Sequence, residues 1–470
     1  MSNCVIIPRP EHSISRRWIS PNALKVLYRL KEAGFLAYLV GGGVRDLLLG
    51  REPKDFDIAT DATPHEIKRL FRNCRLIGRR FRLAHVYFYN EVIEVATFRS
   101  TASEDTDGGD GVASRGHAEA QAVEAHSSGQ EPDRPTAHRN PRILKTEDGM
   151  ILRDNLFGTP EEDARRRDFT VNALFYNISD FSVIDYVGGM YDMKAALIRT
   201  IGDPVVRFIE DPVRMVRAVR FAAMLGFDIE DNTYSAILDQ RGRLALASPA
   251  RLYDEVLKLF LLGAGDKVYQ LLRKTGLFSI LFPALNNWLD SETDGFPHVW
   301  IGRALEWVDV CIQAGRDVPS HLLFALVLGR YISDAAERMI AAGMCRRSAI
   351  DVCLAGFLKE QSQRVLIPRK VGLAVRDILC DQELFEKTSG RHPLNFMRKS
   401  GFRDAFEYLR FECEVTGERR KLRDAWSELI KVHTSESRRP PETKYEARRK
   451  RRRLRRKKGA GPRPRVTAHD

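Results

Sequence analysis

The spacing of apolar residues in the first hundred positions alternates between the periods of helices and strands. An amphipathic helix is predicted from Ser20, a capping serine followed by a proline, to a stop at Gly34. The apolar run 36–40 predicts a strand, and the glycines at 41–43 predict a turn into a short helix. A second strand is predicted at 55–59. The chain therefore opens as a mixed α/β domain.

Capping signals and helical periodicity dominate the rest of the chain. A helix with a threonine cap is predicted at 63–72, and residues 81–98 predict a hairpin. Thr159 and Glu162 form a capping box at the start of another helix. A helix at 211–226 begins a long stretch, to about residue 430, in which apolar residues recur near every 3.6 positions. This part is predicted to be helical.

Two segments lack the residues that build a core. Residues 101–140 contain no Leu, Ile, Met or aromatic side chain and carry eight acidic against three basic residues, which predicts a disordered acidic insertion at about 101–145. Residues 438–470 carry 15 Lys or Arg against three acidic residues, and most of the formal net charge of +13 lies there. This basic tail is predicted to be disordered and to bind a polyanion such as RNA or DNA. A merely solubilising tail, or one that contacts anionic lipid, is the alternative.

Length and composition set the class of protein. At 470 residues, two to four domains are expected, and 43% hydrophobic with 30% charged residues excludes wholesale disorder. No stretch approaches the roughly 18 apolar residues that cross a bilayer. Seven scattered cysteines without a CxxC pair indicate reduced thiols and a cytoplasmic location. The predicted domains are an N-terminal extension (1–19), an α/β head (20–200), a helical neck (201–265), a helical body (266–430) and the tail (431–470).

The first candidate chemistry is a pair of carboxylates at Asp55 and Asp57. On a strand, this spacing directs both side chains to one face while Phe56 turns to the core. Two carboxylates on one face can hold magnesium. A solvated strand end is the alternative explanation of the same pattern.

The second candidate is the glycine-rich turn just before this pair. Gly42 and Gly43 stand at a predicted helix start, where backbone N–H groups and the helix dipole can receive phosphate. Arg45 follows as a bidentate phosphate ligand. A glycine triplet is by itself an ordinary turn, but its position just ahead of the carboxylates predicts a joint site for metal and triphosphate.

Several segments together resemble the class II nucleotidyltransferases, the family of tRNA CCA-adding enzymes and bacterial poly(A) polymerases. In chain order they read LVGGGVRDLLLGREPKDFDIAT, EVATFR, RRRDFTVNALFYN, DYVGGMYD and EDPVRMVRAVRFAAMLGF. The resemblance extends from about residue 15 to residue 262. The segment LIGRRFRLAHVYF at 76–88 is similar to that of the poly(A) polymerases, and so is the basic tail.

The resemblance implies a fold and catalytic roles. The fold would be an α/β nucleotidyltransferase head with a small mixed sheet, an all-α neck and body, and a disordered basic tail, and the body (266–430) would bind RNA. Asp55 and Asp57 would hold two Mg²⁺ ions, and Asp168 would be the third catalytic aspartate. Arg167 would contact the nucleotide. By strand geometry alone, Glu94 competes with Asp168 for the place of third carboxylate, and we favour Asp168.

The resemblance also implies how the base is chosen. Arg214 and Arg217 lie three residues apart, roughly 60° around a helix axis, in one stripe with Asp211. Without the resemblance, an amphipathic helix with surface arginines explains this stripe equally well. With it, Asp211 and the arginines would read the Watson–Crick edge of the incoming base, and ATP would be selected.

We therefore expect a template-independent RNA 3′-adenylyltransferase that adds poly(A) from ATP and releases pyrophosphate, in RNA processing or decay. A tRNA CCA-adding enzyme and a catalytically silent RNA-binding protein are the alternatives. The expected partners are RNA 3′ ends, ATP and RNA-decay proteins. The candidate RNA contacts are Arg79, Arg80, Arg82, Arg451, Arg452 and Arg453.

Overall fold

The computed structural model describes residues 4–78, 83–100, 144–145, 151–153, 157–291 and 298–437. Two compact units are present. Unit 1 contains Met1–Gly295, Val308–Asp317 and Lys359–Ile367, and unit 2 contains Phe296–Trp307, Val318–Leu358 and Pro368–Asp470. The predicted head and neck both lie in unit 1.

The strands are short and cluster in the first half of the chain. They are β1 (Val5–Ile7), β2 (Ala37–Val40), β3 (Asp57–Thr60), β4 (Cys74–Ile77), β5 (Leu83–Tyr87), β6 (Val92–Thr97), β7 (Leu144–Lys145), β8 (Ile151–Arg153), β9 (Leu174–Asn177), β10 (Val183–Asp185), β11 (Leu197–Ile198) and β12 (Asp228–Ile229).

The helices lie between the strands in the first half and follow one another in the second half. In unit 1 they begin with α1 (Pro21–Glu32), α2 (Gly42–Leu48), α3 (Pro64–Leu70), α4 (Pro160–Arg165), α5 (Gly189–Lys194), α6 (Pro204–Glu210), α7 (Val213–Leu225), α8 (Asp231–Gln240), α9 (Pro249–Phe260), α10 (Gly265–Thr275), α11 (Leu277–Leu281) and α12 (Pro283–Asp290). The remaining helices are α13 (His298–Gln313), α14 (Ser320–Ala341), α15 (Arg346–Gln361), α16 (Arg369–Cys380), α17 (His392–Met397), α18 (Phe402–Thr416) and α19 (Arg420–Ser437).

One eight-stranded mixed sheet organises the described part of the head, in the order β1-β10-β9-β2-β3-β6-β5-β4. Only β3 and β6 pair in parallel within this sheet. The register places Val40 opposite Asp57, and Asp57 beside Glu94. The end of β2, the start of β3 and the middle of β6 therefore meet at one level of the sheet.

Alternation along the strands gives the sheet two different faces. Ile58 and Val95 point into the larger core, together with Val26 and Leu27 of α1. Ala59 joins a smaller core on the opposite face. Because side chains alternate, Asp57 and Glu94 share the face of Ala59 and not that of α1.

Local signals fix the helices that carry the site. The Ser20 hydroxyl caps α1 by accepting hydrogen bonds from two backbone N–H groups, and capping boxes begin α3 at Thr63 and α4 at Thr159. Gly226 ends α7 with a φ of 74°, a left-handed conformation that glycine adopts without strain. In unit 1, α7 packs against α9 and α10.

Unit 2 has an aromatic core of its own. Phe385, Phe396, Phe402 and Trp426 pack together, and the Trp426 indole N–H donates to the Phe385 carbonyl oxygen at 2.7 Å. This hydrogen bond satisfies the polar atom of a fully buried ring.

The predicted fold class is confirmed, with a mixed-sheet head followed by helices. The predicted hairpin is β5 and β6, and the helical stretch to about residue 430 is present. Most of the predicted acidic insertion and of the basic tail lies outside the described residues. Where the two predicted segments are described they are ordered, since Leu144–Lys145 form β7 and residues 431–437 continue α19, so the tail does not begin at 431 as predicted. No helix in the described part of the chain combines the length and hydropathy needed to span a membrane.

Candidate active site

The predicted carboxylate pair lies at the point where β3 begins. Asp57 is the first residue of the strand and is partly buried, whereas Asp55 precedes the strand and is exposed. Phe56 between them is buried in the larger core, as the spacing predicted. Asp57 therefore lies at the start of the strand and Asp55 in the loop before it, whereas the sequence predicted that both lie within a strand at 55–59.

Asp57 has a second acidic neighbour that lies far from it in sequence. Glu94 is its register partner on β6. Burial, followed by the charge of Glu94, raises the pKa of Asp57 to about 6, although the charge of Arg167 acts in the opposite direction. A divalent cation bound to Asp57 would reduce the repulsion between these neighbouring carboxylates.

The glycine-rich turn leads from β2 directly into α2. Gly41 has a φ of 71°, and a side chain there would also approach Nη1 of Arg167 to 3.1 Å. Gly42 and Gly43 form the first turn of α2, where backbone N–H groups have no partner within the helix. The turn thus brings the backbone close to the arginine that lines the site.

Arg45 is buried and already has protein partners. Its Nη1 donates to the Asn172 side-chain oxygen at 2.6 Å, and its Nε donates to Asp46 at 2.8 Å. Its guanidinium also lies over the Phe221 ring, 5.2 Å from the centroid. These contacts fix Arg45 at the wall of the site and leave few of its donors for a phosphate.

Asp168 is nearly fully buried, and both of its oxygens accept hydrogen bonds. Oδ2 accepts from Nε of Arg217 at 2.8 Å, and Oδ1 accepts from the Phe169 backbone N–H at 2.9 Å and the Asn172 amide at 3.3 Å. Burial alone would raise the pKa of Asp168, but the charge and hydrogen bonds of Arg217 lower it to about 2. Its carboxylate is therefore anionic at neutral pH and is held by an arginine.

Arg167, next to Asp168, is oriented by an ion pair one helical turn away. Its Nη2 donates to Asp163 at 2.8 Å, and its guanidinium lies over the Phe175 ring, 5.3 Å from the centroid. About a quarter of its side chain stays exposed. The exposed part of the Arg167 guanidinium can therefore bind an anion while its ion pair with Asp163 is kept.

The stripe predicted for base reading is divided between two environments. Asp211 accepts a bidentate pair from Arg251 of α9, at 2.8 and 2.7 Å. Arg214 donates from Nη1 to Glu210 at 3.1 Å and to the Arg207 carbonyl oxygen at 3.0 Å. Arg217, one turn further along α7, is committed to Asp168.

These residues line one cavity of about 470 Å³ in unit 1. The lining residues are Gly41, Gly42, Arg45, Asp57, Arg167, Asp168, Asn172, Asp211, Arg214, Arg217, Phe221 and Arg251. Five arginines against three aspartates make the wall electropositive, which suits a polyphosphate, and the volume lies within the usual range for small-molecule sites. Asp55 and Gly43 lie beside this lining.

Four lining residues were not among the predicted site residues. Gly41 belongs to the predicted glycine turn, although only Gly42 and Gly43 were expected to bind phosphate. Asn172 and Phe221 stand inside segments that carry the resemblance, so their motifs could have pointed to them. Arg251 stands in an ordinary amphipathic helix, and no local signal marks it. The RNA-contact candidates Arg79, Arg80, Arg82, Arg451, Arg452 and Arg453 lie outside the described residues.

The acidic groups suit a metal only in part. Asp57 and Asp55 supply carboxylates at an open strand end, and oxygen is the ligand that Mg²⁺ takes. Among the described residues, no group of three or more His, Cys, Asp and Glu side chains is arranged to hold a metal ion. Any Mg²⁺ here would therefore complete its coordination with water and phosphate oxygens, as is usual for this ion.

Comparison with known proteins adds three family models. The poly A polymerase head domain matches residues 37–199, the probable RNA and SrmB-binding site of polymerase A matches 226–289, and the polymerase A arginine-rich C-terminus matches 342–458. The three matches follow the order of head, neck and body along the chain.

Full-length relatives agree with these models. Poly(A) polymerase I of Salmonella typhi is 42% identical over 90% of this chain and 85% of the relative, and that of Haemophilus influenzae is 38% identical over 88% and 84%. The solved structure of the Bacillus stearothermophilus CCA-adding enzyme in complex with CTP is 25% identical, covers 87% of this chain and 84% of the other, and superimposes with a TM-score of 0.56.

The fold and the site define an enzyme of nucleotidyl transfer. The chain belongs to the tRNA nucleotidyltransferase and poly(A) polymerase family, and within it the poly(A) polymerases support poly(A) addition as its activity.

Proposed function

We propose that this chain extends RNA 3′ ends with AMP taken from ATP, without a template, at the cavity that joins Asp57 to α7. The RNA 3′-hydroxyl would attack the α-phosphorus of ATP. A new P–O bond would form, the bond to the β-phosphate would break, and pyrophosphate would leave. The observation that carries this proposal is the single cavity that contains a strand-end carboxylate, an arginine-lined wall and the Asp211–Arg214 stripe.

Asp57 and Asp55 would hold the Mg²⁺ ions on which this chemistry depends. Mg²⁺ bound there would stabilise charge on the phosphates and lower the pKa of the attacking hydroxyl. The raised pKa of Asp57 supports this assignment, because crowded carboxylates gain most from a bound cation. The first turn of α2, with Gly42 and Gly43, would receive phosphate oxygens through backbone N–H groups, and Arg167 would add a charged donor.

Asp211 and Arg214 would read the base. Adenine offers an amino donor and a ring-nitrogen acceptor on its Watson–Crick edge, which match a carboxylate and a guanidinium. Uracil and guanine offer the reverse order and would be rejected. Cytosine shares the pattern of adenine, so the choice between ATP and CTP would depend on the width of the cavity and on how firmly Arg251 holds Asp211.

Asp168 would act as a positioning residue in this scheme. Although Asp168 lines the cavity, its carboxylate accepts hydrogen bonds from Arg217, Asn172 and the Phe169 backbone N–H, whereas Glu94 is the carboxylate in register with Asp57. Glu94 would then be the third acidic group near the metal site, where its charge acts on Asp57 without making it a metal ligand. This assignment reverses the preference drawn from the sequence.

The wider setting is proposed from the sequence and from the matched family models. The arginine-rich C-terminal match and the basic tail support capture of RNA, and RNA-decay proteins would be its partners. The scattered cysteines support a cytoplasmic location. A role in RNA processing or decay follows from tailing RNA 3′ ends.

A nucleotide-choice assay tests the proposal. Purified protein, Mg²⁺ and an unstructured oligonucleotide are incubated with each ribonucleoside triphosphate singly, and with a tRNA lacking its CCA end as a second acceptor. Long homopolymeric extension from ATP alone is the expected result. Addition of two C and one A to the tRNA would favour CCA addition, and no extension with either acceptor would favour a silent RNA-binding protein.

A further inference from the structure

A row of polar side chains crosses the sheet outward from the candidate metal site. Asp57 on β3 is in register with Glu94 on β6, Glu94 with His85 on β5, and His85 with Arg75 on β4. Residues that lie opposite one another on paired strands share one face of a sheet. The four side chains therefore form a continuous line that begins at Asp57 and ends at the edge strand.

This line lies on the face of the sheet away from α1. The neighbours of these residues along the strands, Cys74, Ala84, Val86, Ile93 and Val95, all point into the larger core. Arg75 is exposed, and 48% of the Glu94 side chain is accessible. Ile77, two residues after Arg75 on the same face, is 43% exposed. This face is therefore open to solvent at Arg75, Ile77 and Glu94, whereas the His85 side chain between them is 19% accessible.

Aromatic and basic groups are preassembled on the open face. Tyr87, two residues after His85, has the guanidinium carbon of Arg75 5.5 Å from its ring centroid, and its ring lies 6.3 Å from that of His85. Nε2 of His85 lies 3.4 Å from Glu94, which holds the imidazole beside the metal-site carboxylates. A flat ring supported by a cation is the arrangement that single-stranded nucleic acid uses for base stacking.

We propose that this open face, formed by Arg75, His85 and Tyr87, binds the nucleotides of RNA that immediately precede its reactive 3′ end. The inference rests on the proposed function, because it places the acceptor strand of the same reaction. Three strand spacings separate β3 from β4, or about 14 Å. That length accommodates a few stacked nucleotides, which rise about 3.4 Å each.

The chemistry of the face suits RNA better than a protein segment. The arginine can form an ion pair with phosphate, and the aromatic rings can stack on any base. Binding would therefore not depend on the sequence of the RNA. The acidic end of the line, Glu94 and Asp57, coincides with the metal site, where the 3′-hydroxyl must arrive. The charge along the line therefore changes from basic to acidic in the direction of the RNA 3′ end.

The test compares four variants of the full-length protein with two matched controls. The variants are Arg75→Ala, Tyr87→Ala, the double variant and Tyr87→Phe. Arg29→Ala removes an exposed arginine from α1, and Tyr191→Ala removes an exposed tyrosine from α5. KM for oligo(A), KM for ATP and kcat at saturation of both substrates are measured, together with Kd for labelled oligo(A) without ATP.

Arg75→Ala and Tyr87→Ala should each raise Kd and KM for oligo(A) about tenfold, within the range of one lost stacking contact. KM for ATP should stay unchanged, and kcat should stay within about twofold of wild type. Tyr87→Phe, which keeps the ring, should bind RNA like wild type, as should both controls. Unchanged RNA affinity in the double variant, or equal losses in the controls, would overturn the proposal and would leave the open face to a protein partner or a second copy.

Photocrosslinking of the wild-type protein gives an independent measurement that needs no variant to fold. A photoreactive base placed second from the 3′ end of oligo(A) should crosslink to Arg75, His85 or Tyr87. Crosslinking only elsewhere, including to Arg79, Arg80 or Arg82, would contradict the proposal. Failure of the wild type to add AMP would refute the proposed function instead. Crosslinking to Arg75, His85 or Tyr87 would then still support the RNA-binding face.

Discussion

Arg217 donates two hydrogen bonds to a single oxygen of Asp168, from Nε at 2.8 Å and from Nη2 at 2.5 Å. The pair links α7 to the segment between α4 and β9. Nη1 of Arg217 also lies 3.9 Å from the buried Glu255 of α9. Because Arg217 is held from two sides, its side chain is fixed at the wall of the cavity.

The Asp168–Arg217 pair predicts a specific acid sensitivity. Arg217 lowers the pKa of Asp168 from an ordinary 3.8 to about 2, against the opposing effect of burial. A lowered folded-state pKa stabilises the fold above the unfolded-state value, and this stabilisation is lost as pH falls from about 3.8 towards about 2. It should amount to about 2 kcal/mol, since each pKa unit corresponds to about 1.4 kcal/mol.

Urea unfolding of wild type and Asp168→Asn between pH 6 and pH 2.5 measures this contribution. The difference in unfolding free energy between wild type and Asp168→Asn should be largest above pH 4 and should become smaller below pH 4. Asp239→Asn, which removes an exposed charge on α8, is the control and should show a small gap throughout. A gap for Asp168→Asn that stays constant with pH would show that the pair does not titrate as described.

Asp57→Ala should abolish nucleotide addition, with Asp55→Ala acting alike, because each change removes a proposed metal ligand. Folding and RNA binding should be retained, since Asp57 makes no ion pair with a described residue. Primer extension, thermal unfolding and RNA affinity are measured side by side. Asp239→Ala serves as the control. Activity at a substantial fraction of wild type would exclude Asp57 as a ligand.

Glu94→Gln should lower kcat by about a hundredfold or more if Glu94 is the third acidic group. Thermal stability should change little, because nearly half of this side chain is exposed. Glu32→Gln on α1 is the matched control. Titrating Mg²⁺ in the assay adds a second readout, since weakened metal binding shifts the concentration needed for half activity. If kcat and the Mg²⁺ requirement stay unchanged, Asp168 and not Glu94 would be the third acidic group of the site.

Arg251→Ala should loosen the choice of nucleotide. The change leaves Asp211 without its bidentate partner, so the carboxylate can adopt other positions towards an incoming base. We expect kcat/KM for ATP to fall about tenfold and the preference for ATP over CTP to narrow. The stability of the fold should change little, because the pair is partly exposed. Lys267→Ala on α10 is the control, and an unaltered ATP-to-CTP ratio would contradict this role.

Deletion of 448–470 should weaken RNA binding and flatten its dependence on salt, because fewer counterions are released from the RNA. Turnover at saturating RNA should survive, since the cavity residues all precede this segment. A variant with the basic residues of 448–458 replaced by serine and glycine keeps the chain length and should behave like the deletion. Unchanged affinity and salt slope would assign the tail another role.

The local elements of the site were readable from the sequence because short-range rules govern them. Ser20 and Thr159 accept hydrogen bonds from backbone N–H groups only a few residues away, at the starts of α1 and α4. Gly226 ends α7 through its own left-handed conformation. The glycine turn and the pair Asp55 and Asp57 likewise lie close together in the sequence, so a short segment was enough to predict a site for metal and triphosphate. Resemblance to a family then supplied roles that no composition or spacing could assign.

Tertiary structure alone decided which distant side chains meet. Glu94 stands beside Asp57 because β3 and β6 pair in parallel, and Arg251 reaches Asp211 because α9 packs on α7. The contact of Asp168 with Arg217 also joins distant parts of the chain, and it is the basis on which we propose a positioning role for Asp168 in place of the catalytic role expected from the sequence. Strand register and helix packing follow from burying apolar faces over the whole domain, and a local pattern of residues does not contain that information.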